Sequence, residues 1–176
     1  MQEYEDLGDL LLDLNHLDNA TRLAAYEALI GMGVDVVPAL VEGFPQIGGT
    51  ARLSVIRAFG AIRDPRAVPL LLDLVQSDDP NELVFVSSLA AKSLGQIGDV
   101  TAIEGLVGLL GHERNGPRRM AVVVLGNLGN HQAVPGLIGA LKDADPQTRV
   151  FAARALEQIG TPQAIAAVAA WRDRID

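Results

Sequence analysis

Apolar residues recur along this chain at helical spacing, and the whole pattern repeats about every 31 residues. The matching segments are PALVEG, PLLLDL, EGLVGL, PGLIGA and AAVAAW, which begin at residues 38, 69, 104, 135 and 166. Their spacings are 31, 35, 31 and 31 residues. A period in this range is typical of a solenoid, in which each unit must stack on a neighbour to bury its apolar face.

Each period carries two apolar faces, which predict two helices per unit. In the first helix the apolar residues lie at i, i+3, i+4 and i+7, which is one face of an α-helix. The largest residues of this face are Leu29, Phe59, Leu94, Leu125 and Leu156. The second helix has its own column, Leu40, Leu71, Leu106, Leu137 and Val168. The pattern predicts an all-α, right-handed superhelix of about five helix pairs plus an N-terminal half repeat.

Glycine and capping residues punctuate the repeats between the two helices. The first helices are expected to end at left-handed glycines, Gly33, Gly98, Gly129 and Gly160. Arg63 breaks this column, so a strained or differently closed turn is expected there. The residues that follow can cap the next helix: Asp64, Asp99, Asn130 and Thr161.

Three segments carry a family resemblance: DPRAVPLL (64–71), NHQAVPGL (130–137) and DPQTRVFAARALEQIG (145–160). They resemble HEAT-like repeats of the phycobilin-lyase type, which form an armadillo-type α-solenoid. The resemblance covers the whole chain and implies a single HEAT-like domain over residues 1–176. The approximate units are 1–20 (a half repeat), 21–49, 50–81, 82–116, 117–147 and 148–176. Such units occur in scaffolds, lyase subunits, hydroxylases and DNA-repair proteins, so they specify the fold more than the function.

The third unit is longer than the others. The distance from Pro80 to Gly98 is 18 residues, whereas the distance from Pro146 to Gly160 is 14. The four extra residues amount to about one helical turn. We expect a lengthened first helix in this unit, or a short extra turn before it.

Composition favours one soluble domain. The chain has 176 residues, of which 49% are apolar and 4% aromatic. It has no cysteine, which excludes disulfides, thiolate chemistry and cysteine-ligated zinc. The first residues, MQEYEDLGDLL, are acidic and lack a basic segment followed by a long apolar run. We therefore expect a cytoplasmic protein without a signal peptide or a membrane span.

The net charge of −8 is distributed unevenly. Residues 1–88 hold 14 acidic and 5 basic side chains, whereas residues 89–176 hold 8 acidic and 9 basic ones. The acidic first half is expected to attract a protein partner with a basic surface and to repel nucleic acid. The best basic cluster, Arg114, Arg118 and Arg119, is interpreted as a loop and helix start rather than a nucleic-acid site.

The residues give no catalytic constellation. The three histidines are His16, His112 and His131, and the only His-Glu dipeptide is His112-Glu113. By resemblance, HEAT-type hydroxylases carry several such dipeptides to hold a di-iron centre, and one pair cannot complete a two-metal site. No catalytic, cofactor-binding or metal-binding residue is therefore predicted, and the chain is expected not to be an enzyme.

Asp and Arg recur at fixed positions of the first helices. Asp18 with Arg22 and Asp145 with Arg149 share the same spacing, and Arg52 and Arg118 continue the arginine column. The aspartates are expected to cap their helices, and the arginines to reach the loop of an adjacent unit.

The exposed face of the second helices is the candidate partner-binding site. Its glycines are Gly105, Gly108, Gly136 and Gly139, although glycine inside a helix costs about 0.5–1 kcal/mol relative to alanine. They suggest either a shallow floor for a partner helix or peptide, or tight packing between the helices themselves. The other candidate contact residues are Glu42, Leu70, Asp73, Leu74, Leu109 and Trp171.

These observations lead to a functional hypothesis of a non-catalytic protein-interaction scaffold that binds a partner along its concave helix face. The resemblance implies one alternative, an auxiliary subunit of a bilin lyase. A third, nucleic-acid lesion recognition, is disfavoured by charge. Self-association through the terminal repeats is a further expectation, with Trp171 at the docking surface; the competing outcome is a monomer in which Trp171 folds back onto the last helix pair.

Overall fold

The computed structural model describes residues 6–77 and 84–174. The regular secondary structure of these residues is entirely helical. The chain forms two compact units, Met1–Ile97 and Gly98–Asp176. The first contains α1 (Leu7–Asp13), α2 (Asn19–Gly31), α3 (Val37–Gly43), α4 (Gly49–Ile62), α5 (Val68–Gln76) and α6 (Val84–Ile97). The second contains α7 (Val100–Leu109), α8 (Asn115–Leu128), α9 (Val134–Ala140), α10 (Pro146–Ile159) and α11 (Pro162–Arg172). The predicted all-α helical-repeat class is confirmed.

The predicted columns form the core of each unit. The large first-helix residues are fully buried, Leu29, Phe59 and Leu94 in the first unit and Leu125 and Leu156 in the second. The second-helix column, Leu40, Leu71, Leu106, Leu137 and Val168, is buried as well. Met32, which directly follows α2, is 42% exposed. Burial of these apolar side chains is the main favourable term that holds each unit together.

Two glycines allow first helices to pack closely. In the first unit α4 packs against α6, and a Cβ atom at Gly60 would lie 2.9 Å from the Cα of Ser93. In the second unit α8 packs against α10, and a Cβ at Gly126 would lie 2.6 Å from the Cβ of Ala155. The matching position of α2 is Ile30. The larger side chain favours a wider separation between α2 and its neighbour α4.

The predicted turns are present, with one informative variation. Gly33, Gly98, Gly129 and Gly160 all have left-handed φ values between 61° and 69°. Arg63 adopts the same conformation, with φ of 61°, and its N–H donates to the carbonyl of Phe59. The turn is therefore closed like the others but by a residue with a Cβ, which confirms strain there. The predicted caps also form, since the side chains of Asp64, Asp99, Asn130 and Thr161 accept backbone N–H groups of the following helical segments.

The third repeat keeps a first helix of ordinary length in the described residues. The helix α6 spans 14 residues, as do α4, α8 and α10, and Val84 aligns with the first residue of α10. The four extra residues therefore come before Val84, where residues 78–83 lie outside the described part of the chain. The expectation of a longer helix or an extra turn stays a prediction.

None of the helices in the described residues is by itself long and apolar enough to cross a membrane. One pair, Asn19–Gly31 with Gly33–Gln46, meets the length and composition requirements together, across a bend of 101°.

Candidate functional site

The arginine column has a structural role. The Nη1 atoms of Arg22, Arg52, Arg118 and Arg149 each donate to two backbone carbonyls of the loop before their own helix. These carbonyls lie near the ends of preceding helices, where intrahelical partners are missing. The carbonyls belong in each case to the unit before the arginine, so the expected reach to an adjacent unit's loop is confirmed.

Arg118 also binds a carboxylate, in the loop before α10. Its Nε and Nη2 atoms donate to the two carboxylate oxygens of Asp143, at 2.7 and 2.8 Å. The pKa of Asp143 is lowered from its ordinary value because Arg118 donates these bonds to the carboxylate, aided by the backbone N–H of Asp145. The same pair raises the pKa of Arg118. The pair joins two consecutive loops of the second unit and is mostly shielded from solvent.

Two of the histidines close loops. The Nδ1 atom of His16 accepts the backbone N–H of Asp18 at 3.1 Å, and the Nδ1 of His112 accepts that of Arg114 at the same distance. His131 is exposed at the start of a short 3-10 turn. Among the described residues, no group of three or more His, Asp or Glu side chains is placed to hold a metal ion. The His112-Glu113 pair therefore does not fit the di-iron centre that the resemblance to hydroxylases implies.

The second-helix face of the first unit is acidic. Glu42 on α3 and Asp73 on α5 are exposed at equivalent positions of consecutive repeats. Neither carboxylate forms an ion pair with another described residue. Leu70 is half-buried beside them, whereas Leu74 is buried in the core. This face offers two carboxylates and part of one leucine to a partner.

In the second unit, the glycines of the same face separate into two kinds. Gly108 and Gly139 are exposed, and a Cβ atom built on either would meet nothing within 4 Å. Gly136 packs tightly, because its Cβ would lie 2.8 Å from the Cδ1 of Leu110. Gly105 is half-buried, and Leu109 is buried. Gly108 and Gly139 are therefore compatible with a floor, Gly136 with close helix packing, and the binding role itself stays a prediction.

Trp171 lines a cleft between α9 and α11. The cleft has a volume of about 400 Å³, and Ile138, Leu141, Ala167 and Ala170 supply its apolar walls. Lys142 and Arg174 lie at the same cleft. Trp171 is half-buried, so part of the ring remains accessible from this cleft.

A second cleft lies between α2 and α4 in the first unit and was not predicted from the sequence. Its lining includes Tyr26, Leu53 and Arg57. The residue that could have indicated this cleft in the sequence is Tyr26. It occupies a repeat position that is otherwise filled by Ile56, Ala91, Val122 and Ala153. An aromatic residue in a column of aliphatic core residues indicates a local change in packing.

Comparison with known proteins places this fold in a family. The family described as HEAT repeats matches residues 49–124 and 117–174. The chain belongs to the HEAT-repeat family. The complex of CpcE and CpcF of phycocyanin lyase from Nostoc sp. PCC7120 is a similar solved structure. Its TM-score is 0.58 at 25% identity, with coverage of 84% of this chain and 96% of that one. The predicted resemblance is thus confirmed, and the similar structure is itself a complex of CpcE with CpcF.

Two curated relatives of this HEAT-repeat chain carry the same enzyme name. Deoxyhypusine hydroxylase of Rattus norvegicus is 32% identical over 99 residues, which cover 56% of this chain and 32% of the relative. Deoxyhypusine hydroxylase of Chaetomium globosum is 28% identical over 131 residues, which cover 70% of this chain and 37% of the relative. The chain spans about a third of the length of these relatives.

These relatives correct the functional hypothesis. The prediction of a non-catalytic scaffold, and with it the prediction that the chain is not an enzyme, is wrong, because both curated relatives are hydroxylases. The likeness to the phycocyanin lyase complex gives the bilin-lyase alternative no better support, and lesion recognition gains none. The search for catalytic residue patterns could not reveal this relationship, because the kinship lies in the repeat sequence rather than in a metal-ligand cluster.

Proposed function

We propose that this HEAT-repeat chain works in an enzyme that modifies a protein, as a relative of the deoxyhypusine hydroxylases, and that its repeats hold the substrate protein. The observation that carries the proposal is the shared name of the two curated relatives from different organisms. The alignments with them include 56% and 70% of this chain, so the kinship extends over several repeats.

The acidic second-helix face of the first unit favours binding of a basic segment of the substrate. Glu42 and Asp73 are exposed, and no described basic side chain neutralises them. Residues 1–88 hold 14 acidic side chains against 5 basic ones, so the field around this face is negative. Such a field raises the rate at which a Lys- or Arg-bearing segment finds the surface, and added salt weakens the effect.

We assign no catalytic step to the described residues. Their histidines close loops or lie singly on the surface, and no metal-ligand cluster forms among them. What the described repeats provide is position: a protein held along a row of helices brings the residue to be modified to a fixed place, which lowers the entropic cost of the reaction.

A titration tests the acidic face. The probe is a lysine-rich peptide, with a peptide of the same length that carries glutamine for lysine as its comparison. We expect the double variant Glu42→Gln, Asp73→Asn to weaken lysine-peptide binding by about three- to tenfold at low salt, as expected for loss of two exposed charge contacts. The matched control is Glu104→Gln, Asp173→Asn, which removes two exposed charges from the second unit. Equal weakening by both double variants, or no preference for the lysine peptide, would overturn the assignment of this face.

A further inference from the structure

The cleft between α2 and α4 differs from the other first-helix contacts in the molecule. It has a volume of about 320 Å³ and lies entirely within the first unit. The matching residues of the Tyr26 column, Ile56, Ala91, Val122 and Ala153, are all buried, whereas Tyr26 is half-buried. Where Gly60 and Gly126 allow other first helices to pack closely, α2 has Ile30. Tyr26 and Ile30, both on α2, therefore account for the opening of this cleft.

One cation of the cleft is available to a ligand. The guanidinium of Arg57 lies over the ring of Tyr26, 5.0 Å from its centroid, and the side chain is exposed. No carboxylate of the described residues pairs with it, in contrast to Arg66 with Asp64 and Arg118 with Asp143. The ring attracts the cation and holds it in place without neutralising its charge.

The other groups of the cleft combine apolar walls with hydrogen-bond donors. Leu23 is 55% exposed and Leu53 is half-buried, so both present apolar surface to the cleft. The hydroxyl of Ser54 has no hydrogen-bond partner among the described residues. The Oδ1 of Asn19 accepts from Arg22, which leaves the amide N–H groups of Asn19 as donors. A site of this kind orients a ligand through a few polar groups and binds it through apolar contact.

We propose that the α2–α4 cleft binds a small organic carboxylate with an apolar body about the size of one ring. A planar guanidinium binds a carboxylate through two parallel hydrogen bonds, and such charge-assisted bonds are about twice as strong as neutral ones. The volume lies at the lower end of the range for small-molecule sites, which is about 300–1,000 Å³, so the ligand is small. The ring or alkyl body lies between Leu23, Leu53 and Tyr26, and the carboxylate faces Arg57 and Ser54.

Binding measurements with three related probes test the charge and the body separately. Phenylacetate carries both features, phenylacetamide keeps the ring without the charge, and acetate keeps the charge without the ring. In NMR titrations of the whole chain we expect saturable shifts at Tyr26, Leu53 and Ser54 with phenylacetate. Phenylacetamide is expected to bind at least about tenfold more weakly, because it lacks the charged hydrogen bonds to Arg57. Acetate is expected to bind at least about tenfold more weakly as well, because it lacks the apolar contact of the ring.

Variants locate the site. Arg57→Gln is expected to weaken phenylacetate binding about tenfold or more and to leave the weak phenylacetamide binding unchanged. Arg154→Gln is the matched control, because Arg154 is exposed at the same position of α10. Ser54→Phe is expected to abolish binding by filling the cleft, and it copies Phe151 at the matching position of α10.

The outcomes are decisive once thermal melting shows that each variant is folded. Loss of phenylacetate binding in Arg57→Gln and Ser54→Phe, with retention in Arg154→Gln, supports the site. Absence of saturable binding, or binding that survives both cleft variants, overturns it. Preferential binding of the acidic peptide Leu-Glu-Leu over phenylacetate also overturns it, because the occupant would then be a protein segment. These results are independent of the lysine-peptide titration, so each proposal fails separately.

Discussion

At the scale of single residues, Arg63 shows how the repeat constrains the backbone. The four matching positions hold glycine in the left-handed region, and Arg63 adopts the same conformation with a Cβ. For an L-residue this conformation costs about 1–2 kcal/mol, because the Cβ approaches the following carbonyl oxygen. The turn persists because the flanking helices and the Asp64 cap fix it.

Replacing Arg63 by glycine is expected to stabilise the protein. Relief of the left-handed strain outweighs the extra entropy of glycine in the unfolded chain, so the free energy of unfolding should rise by about 0.5–1 kcal/mol. Gly129→Ala is the converse control, which introduces a Cβ into the same left-handed conformation. A Cβ at Gly129 meets no atom within 4 Å, so the variant should lose stability through the conformational cost alone. Chemical denaturation measures both. Destabilisation by Arg63→Gly would show that the arginine side chain contributes more than the strain costs.

The residue pattern predicted these positions correctly, and the reason is local. A glycine column after a helical apolar face fixes where a left-handed residue is needed, so the same conformation at Arg63 follows from its neighbours in the repeat. The core columns were equally predictable, because periodicity alone assigns a helix face. The arginine column likewise predicted contacts with the loop of the adjacent unit, but the pairing of Arg118 with Asp143 was not predicted, because it depends on how two loops are placed.

At the scale of elements, the loops between repeats are held by arginines and aspartates. Arg118 anchors its own loop through the carbonyls of His112 and Glu113 and also binds Asp143 in the next loop. Sequence columns showed that arginine recurs, but the geometry of the loop decides which carbonyls and carboxylates it meets. The clefts escaped prediction for the same reason, since the separation of two helices depends on several contacts at once.

The Arg118–Asp143 pair is expected to make stability depend on pH. The pKa of Asp143 is lowered in the folded protein, so its contribution is fully present above the ordinary value of about 3.8 and is lost as pH falls through the lowered value. Asp143→Asn should lower the free energy of unfolding at neutral pH by about 1.5–3 kcal/mol, because a charged hydrogen bond is lost. The asparagine oxygen can still accept the N–H of Asp145, so this contact is kept while the charged pair with Arg118 is lost.

Urea denaturation between pH 7 and pH 2 measures this effect. The variant should approach the wild-type stability as the pH falls through the lowered pKa of Asp143, where the folded wild-type protein takes up the proton. Glu157→Gln serves as the control, because its ion pair with Arg172 is exposed and should contribute less than about 1 kcal/mol. A constant difference between Asp143→Asn and wild type across the whole pH range would contradict the electrostatic explanation.

At the scale of the whole molecule, the repeat architecture could be predicted from the sequence pattern, whereas the function could not. The HEAT-repeat family follows from the apolar period and is confirmed by the family match. Kinship to hydroxylases was not visible in the residue types, because the described histidines and carboxylates form no metal cluster. The cytoplasmic location, the domain boundaries and self-association through Trp171 stay predictions.

We propose that this chain works in an enzyme that modifies a protein, and the most direct test compares the modified peptides of the source cells with and without the chain by quantitative mass spectrometry. We expect that at least one residue carries an added group, such as a hydroxyl, in cells with the chain, lacks it after deletion and regains it when the chain is expressed again. Identical modification profiles in the two cell types, at matched coverage of the proteins, would contradict the proposed function.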